Sequence, residues 1–399
     1  MAVKYSDIAI VGGGLAGSIA AAMLGRSGFK ILLIDPHDVY PSDFRCEKLD
    51  GCQVEALEKT GLAKAVLSFA TLDGSAWVAR RGRLLDKKPS DQWGIQYDAL
   101  VNAARTQITD GDSFVRSKVK AVATSPEQQI LTLSNQEEIS ARLVVLATGL
   151  NIGLRNMLGI ERQVLSACHS VTAGFDMHPV GRTAFDFRAL TYYPEKVSDG
   201  LAYLTLFPIG NVMRANLMTY RHLKDPWLSQ LRHEPVATLI ESLPRLRRIS
   251  GEFQVHGPVK IRPADLCVAR GHLQPGIVLV GDAFATSCPA AGTGAGKVFT
   301  DVERLCNVYI PRWVSTGGMG VDKISAFYED RVKQASDRAS LNKAYRLRSL
   351  STDPSLFWSA FRTGKFLARG AVGQLRQASE RRSVNDMPER PGMSHGSGL

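Results

Sequence analysis

One stretch constrains this 399-residue chain more than any other: DIAIVGGGLAGSIAAAMLGRSGFKILLID, residues 7–35. DIAIV (7–11) and KILLID (30–35) are short apolar runs of the kind that form buried strands, and IAAAMLGRSG between them is helical in composition. Gly12, Gly14 and Gly17 stand at the turn in G-x-G-x-x-G spacing. In a strand–turn–helix–strand unit these glycines allow, in turn, a tight reversal, close approach of a pyrophosphate, and close packing of helix on strand. The helix N-terminus then offers unpaired N–H groups to the phosphates. Asp35 ends the second strand, where a carboxylate accepts from ribose hydroxyls. The unit predicts a doubly wound α/β domain binding NAD or FAD.

A second glycine-rich run, GDAFATSCPAAGTGAGK (281–297), follows the strand-like GIVLV. Its end resembles a P-loop, but Ala291 takes the place of that motif's first glycine, and Val298 follows Lys297 where a magnesium-binding hydroxyl belongs. Nucleotide triphosphate binding is therefore set aside. RLVVLATG (142–149) reads as another buried strand, and no second G-x-G-x-x-G follows a strand, so no separate nicotinamide domain is expected.

These motifs resemble the flavoprotein monooxygenases with the para-hydroxybenzoate hydroxylase fold, which include ubiquinone-biosynthesis hydroxylases and have geranylgeranyl reductases and flavin-dependent halogenases as relatives. The shared elements are Gly281-Asp282-Ala283, then Pro289, Gly292 and Gly294, then Asp301-Val302-Glu303-Arg304-Leu305. The resemblance covers roughly residues 5–310 and implies noncovalent FAD. It places Gly12, Gly14, Gly17 and Asp35 at the adenosine diphosphate end, with Gly281 and Asp282 at the ribityl or pyrophosphate region. Pro289 would lie beside the isoalloxazine, and Gly292, Thr293 and Gly294 would meet its N1–O2 edge. Arg45, in FRCEKL, matches an arginine that contacts FAD. Catalytic side chains are not assigned; Pro289, Gly292 and Gly294 are the flavin-proximal candidates.

Three departures set this chain apart. Thr148 stands where the hydroxylases carry an acid after the middle strand, and Ile152 where they carry a serine, although Arg155 is kept. That stretch is linked to nicotinamide use, so NAD(P)H or a partner reductase is the expected electron donor, with direct reduction by NAD(P)H slow. Phe284 replaces a common histidine, and Tyr97 replaces a common arginine. The halogenase motif W-x-W-x-I-P is absent.

GRTAFDFRALTYYPE, GLAYLTLFPIG and NVMRANLMTYR alternate in short β-rich runs and predict an antiparallel sheet inserted over the flavin. His169, Arg188, Tyr192, Phe207, Arg214 and Arg221 are its candidates for lining a pocket, each more typical of packing or surface. The expected organisation is a discontinuous FAD-binding domain (1–160 and 265–320), a substrate-binding sheet domain (161–264), a basic helical region (321–382) and a disordered tail (383–399). The net charge of +11 is concentrated: residues 331–382 carry twelve Lys and Arg against three acids. No nucleic-acid-binding motif accompanies it. SLFWSAFRTGKFLARGAVGQLR puts Phe357, Phe361, Ala368, Val372 and Leu375 on one helical face, with Arg362, Lys365, Arg369 and Arg376 in a stripe beside it. Such a helix either caps the core or meets an anionic membrane surface or an acidic carrier protein. Six scattered cysteines, no C-x-x-C spacing and no signal-peptide layout predict a cytoplasmic protein, peripheral to a membrane if the helix docks.

Together these readings point to an FAD-dependent monooxygenase. By resemblance, a flavin C4a-hydroperoxide would hydroxylate or epoxidise a small organic substrate, lipid-like or carrier-bound. The alternatives are a reductase that saturates C=C bonds, a flavin-dependent halogenase, and a flavin-binding protein without turnover.

Overall fold

The computed structural model describes residues 4–45, 47–108 and 113–385. The expected tail lies outside them from residue 386 onward, and residues 383–385 close the last helix. Two large sheets organise the chain. The first carries five parallel strands in the order Phe114–Arg116, Ile31–Asp35, Lys4–Val11, Glu138–Leu146, Ile277–Leu279, with an antiparallel hairpin, Val119–Ala123 and Gln129–Leu133, on the strand Glu138–Leu146. Ile31–Asp35 is buried at every position, as a central parallel strand covered on both faces must be. The helix Leu15–Arg26 covers one face and is buried along almost its whole length, because alanines at 20–22 let it lie close to the strands.

The second sheet is antiparallel except for one pair. Its order is Phe253–Arg270, Glu161–Pro179, Val212–Thr219, Leu201–Ile209, Ala189–Tyr193, Ser75–Arg80, Arg83–Pro89. The last two strands come from residues 75–89, which the sequence alone groups with the nucleotide-binding unit. They join through the parallel pairing of Ala189–Tyr193 with Ser75–Arg80. Alternation along the strands sorts the side chains. Ala173, Phe175, Met177, Ala215 and Leu217 face an outer core closed by helices between residues 226 and 250. Residues at the intervening positions face the nucleotide-binding domain: a Cβ at Gly174 would collide with the Phe44 ring.

Candidate active site

The two glycine turns play different roles residue by residue. Gly12 has φ +101°, and a Cβ there would lie 2.6 Å from the Ala147 carbonyl oxygen; one at Gly17 would strike the carbonyl of Gly12. These two glycines close the turn. Gly14 is the N-cap of the helix Leu15–Arg26, and a Cβ there would meet nothing nearer than the Tyr40 ring at 4.0 Å. No side chain caps this helix, so its first-turn N–H groups face that open space.

Asp35 stands beside the turn and is held by the chain itself. Its carboxylate accepts from the Gly13 N–H at 2.7 Å and the His37 N–H at 2.9 Å, and it pairs with Arg105 Nη2 at 3.3 Å. Two carboxylate oxygens offer about four acceptor positions, so three internal donors leave one for a ribose hydroxyl. Arg105 is buried and also donates to the carbonyls of Gly13, His37 and Asp38. The sequence reading did not single it out. It lies at the end of the helix Tyr97–Arg105, eight residues beyond the tyrosine that replaces the expected arginine.

The second turn meets the first. Gly281 (φ +60°) lies against the first helix, where a Cβ would be 3.5 Å from Ala16 Cβ. Gly292 (φ +63°) has open space on its Cβ side, and Thr293 is the N-cap of the helix Gly294–Arg304, again without a side-chain cap. Gln53 fixes the Gly292 carbonyl at 2.9 Å, and the Thr293 hydroxyl lies 2.7 Å from that of Ser340. A capping box with Asp50 holds Gln53 in place, and the D-x-x-Q spacing was its signal in the sequence. Arg45 joins the halves. Its Nε lies 2.6 Å from Asp43 and its Nη1 3.2 Å from Asp282, while Arg262 grips the other Asp43 oxygen at 2.6 Å. Burial opposes ionisation of Asp43, but the two guanidinium groups outweigh it and hold its carboxyl below the ordinary range.

Behind this loop sits a buried ionic network. Asp301 accepts the Gly281 N–H at 3.1 Å and the Lys333 ammonium at 3.1 Å, with Lys297 at 3.5 Å; both lysines also reach Asp337. Lys297, the residue that gives the loop its P-loop look, is therefore consumed inside the protein. Burial works against its charge, but Asp301 and Asp337 raise its pKa.

The sheet covers the loop from the other side. Tyr203 donates its hydroxyl to the Ala290 carbonyl at 2.5 Å, and Ser170 Oγ lies 3.4 Å from Cys288 Sγ. Met218, Leu266, Cys288, Ala290 and Ala291 form one apolar cluster here, with Tyr203, Tyr220 and Leu347 packed on it. Burial pushes the Tyr203 and Tyr220 phenols and the Cys288 thiol up, so all three are neutral at physiological pH.

Further along the same face Arg214 is buried between Glu47 at 3.5 Å and Asp176 at 3.3 Å. Burial pushes the Glu47 carboxyl up to about 7, against the pull of Arg214. Of the six pocket candidates, Arg214 and Phe207 lie on this face, and His169 is buried against Tyr220 and Tyr345. Tyr192 is buried in the outer core, where its hydroxyl accepts from the Gly82 N–H. Arg188 donates to the Leu72 carbonyl, and Arg221 pairs with Asp225 over the Trp227 ring. Arg155 turns inward: it is buried and donates to the Ala283 carbonyl at 2.9 Å.

Two turns that leave open space at Gly14 and Gly292, each beside an uncapped helix N-terminus, fit a long ligand with a pyrophosphate at one end and an anionic ring edge at the other. The FAD binding domain family model matches residues 5–310. The chain belongs to the FAD binding domain family. It is an FAD-dependent oxidoreductase of the monooxygenase superfamily. It is similar to squalene epoxidase of Schizosaccharomyces pombe (24% identical over 329 residues, 78% of this chain and 70% of that protein). It is similar to 3-demethoxyubiquinol 3-hydroxylase of Escherichia coli (25% over 346 residues, 78% and 81%). It also resembles digeranylgeranylglycerophospholipid reductase 1 of Methanopyrus kandleri (25% over 317 residues, 72% and 76%). In fold it matches p-nitrophenol 4-monooxygenase of Pseudomonas putida with a TM-score of 0.72 at 14% identity, covering 96% of this chain and 98% of that one.

Proposed function

We propose that this flavoprotein inserts one atom of O2 into an apolar, isoprenoid-like substrate. The balance is substrate, O2, NAD(P)H and a proton giving oxygenated substrate, NAD(P)+ and water. The apolar cluster of Met218, Leu266, Cys288, Ala290 and Ala291, packed on the loop that would adjoin the flavin, carries this reading. When bound, FAD supplies electron transfer and the activation of O2. The protein's part follows from its own groups. Gly14 and the Leu15 helix end would receive the pyrophosphate, with Arg45 and Asp282 beside it. The N–H groups at Gly292–Gly294 would favour negative charge on the ring edge, as uncapped helix N-termini do. The neutral Tyr203, Tyr220 and Cys288 pack together on this loop; they would keep water from a reacting centre beside it and offer no charged nucleophile.

Electron supply is the part where this chain departs from its relatives. Thr148 replaces an acid, and Arg155 is buried, its Nη1 on the Ala283 carbonyl and its Nε and Nη2 without a partner, so we assign rapid reduction to a partner reductase or to the substrate-bound state. The relatives' names include both oxygenases and C=C reductases. One experiment separates the readings. Holoenzyme is reduced chemically, mixed with isotopically labelled O2 and an isoprenoid probe such as squalene or a demethoxyubiquinol, and the product is weighed. One labelled oxygen per product supports oxygenation. A product saturated at a C=C bond, formed anaerobically and without label, moves the assignment to the reductase.

A further inference from the structure

The last helix, Leu356–Asn385, docks the wrong way round for a core-capping element. Its cationic edge faces the protein. Arg362 is buried and donates to the carbonyls of Leu350 and Asp353 at 3.1 and 2.7 Å, satisfying the end of the preceding helix. Lys365 lies over the Tyr193 ring, and Arg376 pairs with Asp86 at 2.9 Å. Gly373 allows this approach, since a Cβ there would strike the Leu85 carbonyl of the neighbouring strand. The opposite face is apolar and open. Leu356 is 90% exposed, Phe357 68%, Leu367 69% and Leu375 72%, and Val372 lies on the same side. At 100° per residue these positions, with Ala360, Gly364, Ala368 and Ala371 between them, form one apolar stripe without a charged side chain, with Gln374 at its edge. From Leu356 to Leu375 the stripe runs roughly 30 Å. A stripe of that length exceeds the scattered apolar exposure normal for a soluble surface.

We propose that this helix lies flat on an anionic lipid bilayer, apolar stripe down. This does not rest on the reaction proposed above. Charge complementarity selects the occupant. Between Leu356 and Ser379 there is no acid; Arg362, Lys365 and Arg376 turn to the protein and Arg369 is left at the rim, while the surrounding 331–382 segment carries twelve basic residues against three acids. Arg346 is exposed at the rim, 5.4 Å from the Phe361 ring, and Arg369 flanks the stripe. A second copy of the chain would bring the same positive field face to face with itself, which like charges oppose. An anionic headgroup layer meets the cationic rim while the acyl boundary takes the leucines and phenylalanines. Among the described residues no helix is long and apolar enough to cross a membrane, so the helix lies on the surface. Beneath it, Arg80, Tyr193, Leu201, Ala202, Leu347 and Arg362 help to line a narrow cleft of ≈ 30 Å³. Ala202 and Leu347 belong also to the apolar cluster at Cys288–Ala291. Docking would therefore hold that cleft beside the lipid.

The test is flotation of the full-length holoenzyme with phosphatidylcholine vesicles and with vesicles containing phosphatidylglycerol. Wild type is expected to float with the anionic vesicles, weakly with the neutral ones, and less at high salt. Leu367→Asp with Leu375→Asp should weaken binding by at least ~100-fold, since two leucines lose their apolar burial. Arg346→Glu with Arg369→Glu should remove the preference for anionic lipid. Retained FAD absorbance and helical circular dichroism show that the variants are folded. Wild type that floats with neither vesicle overturns the proposal, and so does an aspartate variant that floats like wild type. A concentration-dependent dimer in wild type that the aspartates dissociate, without flotation, overturns it in favour of a second copy.

Discussion

Asp301 is a single carboxylate on which the second glycine turn and two buried lysines all depend, and its removal tests the account of the site's rigidity. It is 0% exposed. One oxygen holds the Lys333 ammonium; the other holds the Gly281 N–H, with Lys297 at 3.5 Å. Both lysines are nearly fully buried, and without Asp301 they would share Asp337 alone. Breaking a buried ion pair by deleting one partner costs about 3–5 kcal/mol, because a desolvated charge is left behind. Asp301→Asn keeps the volume and loses the charge, so it isolates this term. Denaturant unfolding of the FAD-loaded protein should show a loss of about that size at pH 7. FAD affinity should fall with it, since Gly281 would be held by a neutral amide oxygen in place of a carboxylate and the two lysines behind the loop would lose a counter-charge. The pH dependence has a definite sign. Burial raises the Asp301 pKa, but Lys297 and Lys333 outweigh it and the net shift is down. The stabilisation is thus complete above the unfolded carboxyl pKa of about 4 and is lost as pH falls through the lower folded value. The gap between wild type and Asp301→Asn should narrow in acid. A variant within ~1 kcal/mol of wild type at pH 7, or a gap that stays constant down to acid unfolding, would refute the reasoning.

Gly14→Val and Gly292→Val should each lower FAD affinity by ~100-fold or more, because both place a side chain in the ligand's approach; retention of a yellow protein after gel filtration would contradict this. Arg45→Ala and Asp282→Ala, taken singly and together, should couple by about 1 kcal/mol in FAD binding, a modest value because the pair is partly exposed; strictly additive losses would mean that the pair does not act as a unit. Glu47 gives a second pH signature of opposite sign. Its raised pKa of about 7 means that its neutral form stabilises the fold, fully below the unfolded value of about 4.3 and decreasingly as pH rises through 7. Glu47→Gln should flatten the stability profile between those limits, and an unchanged slope in a urea titration series would reject the assignment.

How much of this was legible in the sequence depends on the range over which each feature acts. Gly12, Gly14, Gly17 and Asp35 lie within one strand–helix–strand unit, and local spacing sufficed to place them. The Gly281–Gly294 loop was legible through its resemblance to known flavoproteins and through the strand that precedes it. The strands 161–179 and 253–270, the longest in the chain, carry too many polar and irregular positions for simple alternation to reveal them. The pairing of Ser75–Arg80 with Ala189–Tyr193 joins segments over a hundred residues apart, and no local pattern encodes it. The same holds for Arg105, whose four partners belong to the loops at residues 13 and 35–38.

The last helix shows the limit most directly. Periodicity separated its apolar face from its cationic stripe, and the faces are real. It could not say which of them meets the protein. That choice depends on Asp86, on the carbonyls of Leu350 and Asp353, and on a strand backbone that only Gly373 can approach. Each is supplied by another element. An apolar stripe ordinarily turns inward because burial of leucine outweighs a partly exposed ion pair. Here the inward positions are taken by Arg362, Gly373 and Arg376, which satisfy buried acceptors and a close backbone contact that leucine could not. Turning the helix over would leave those acceptors unpaired and set Leu367 and Leu375 against Leu85 and Asp86. The exposed stripe therefore follows from the fit of the cationic edge, and its lost burial is what a lipid surface would restore.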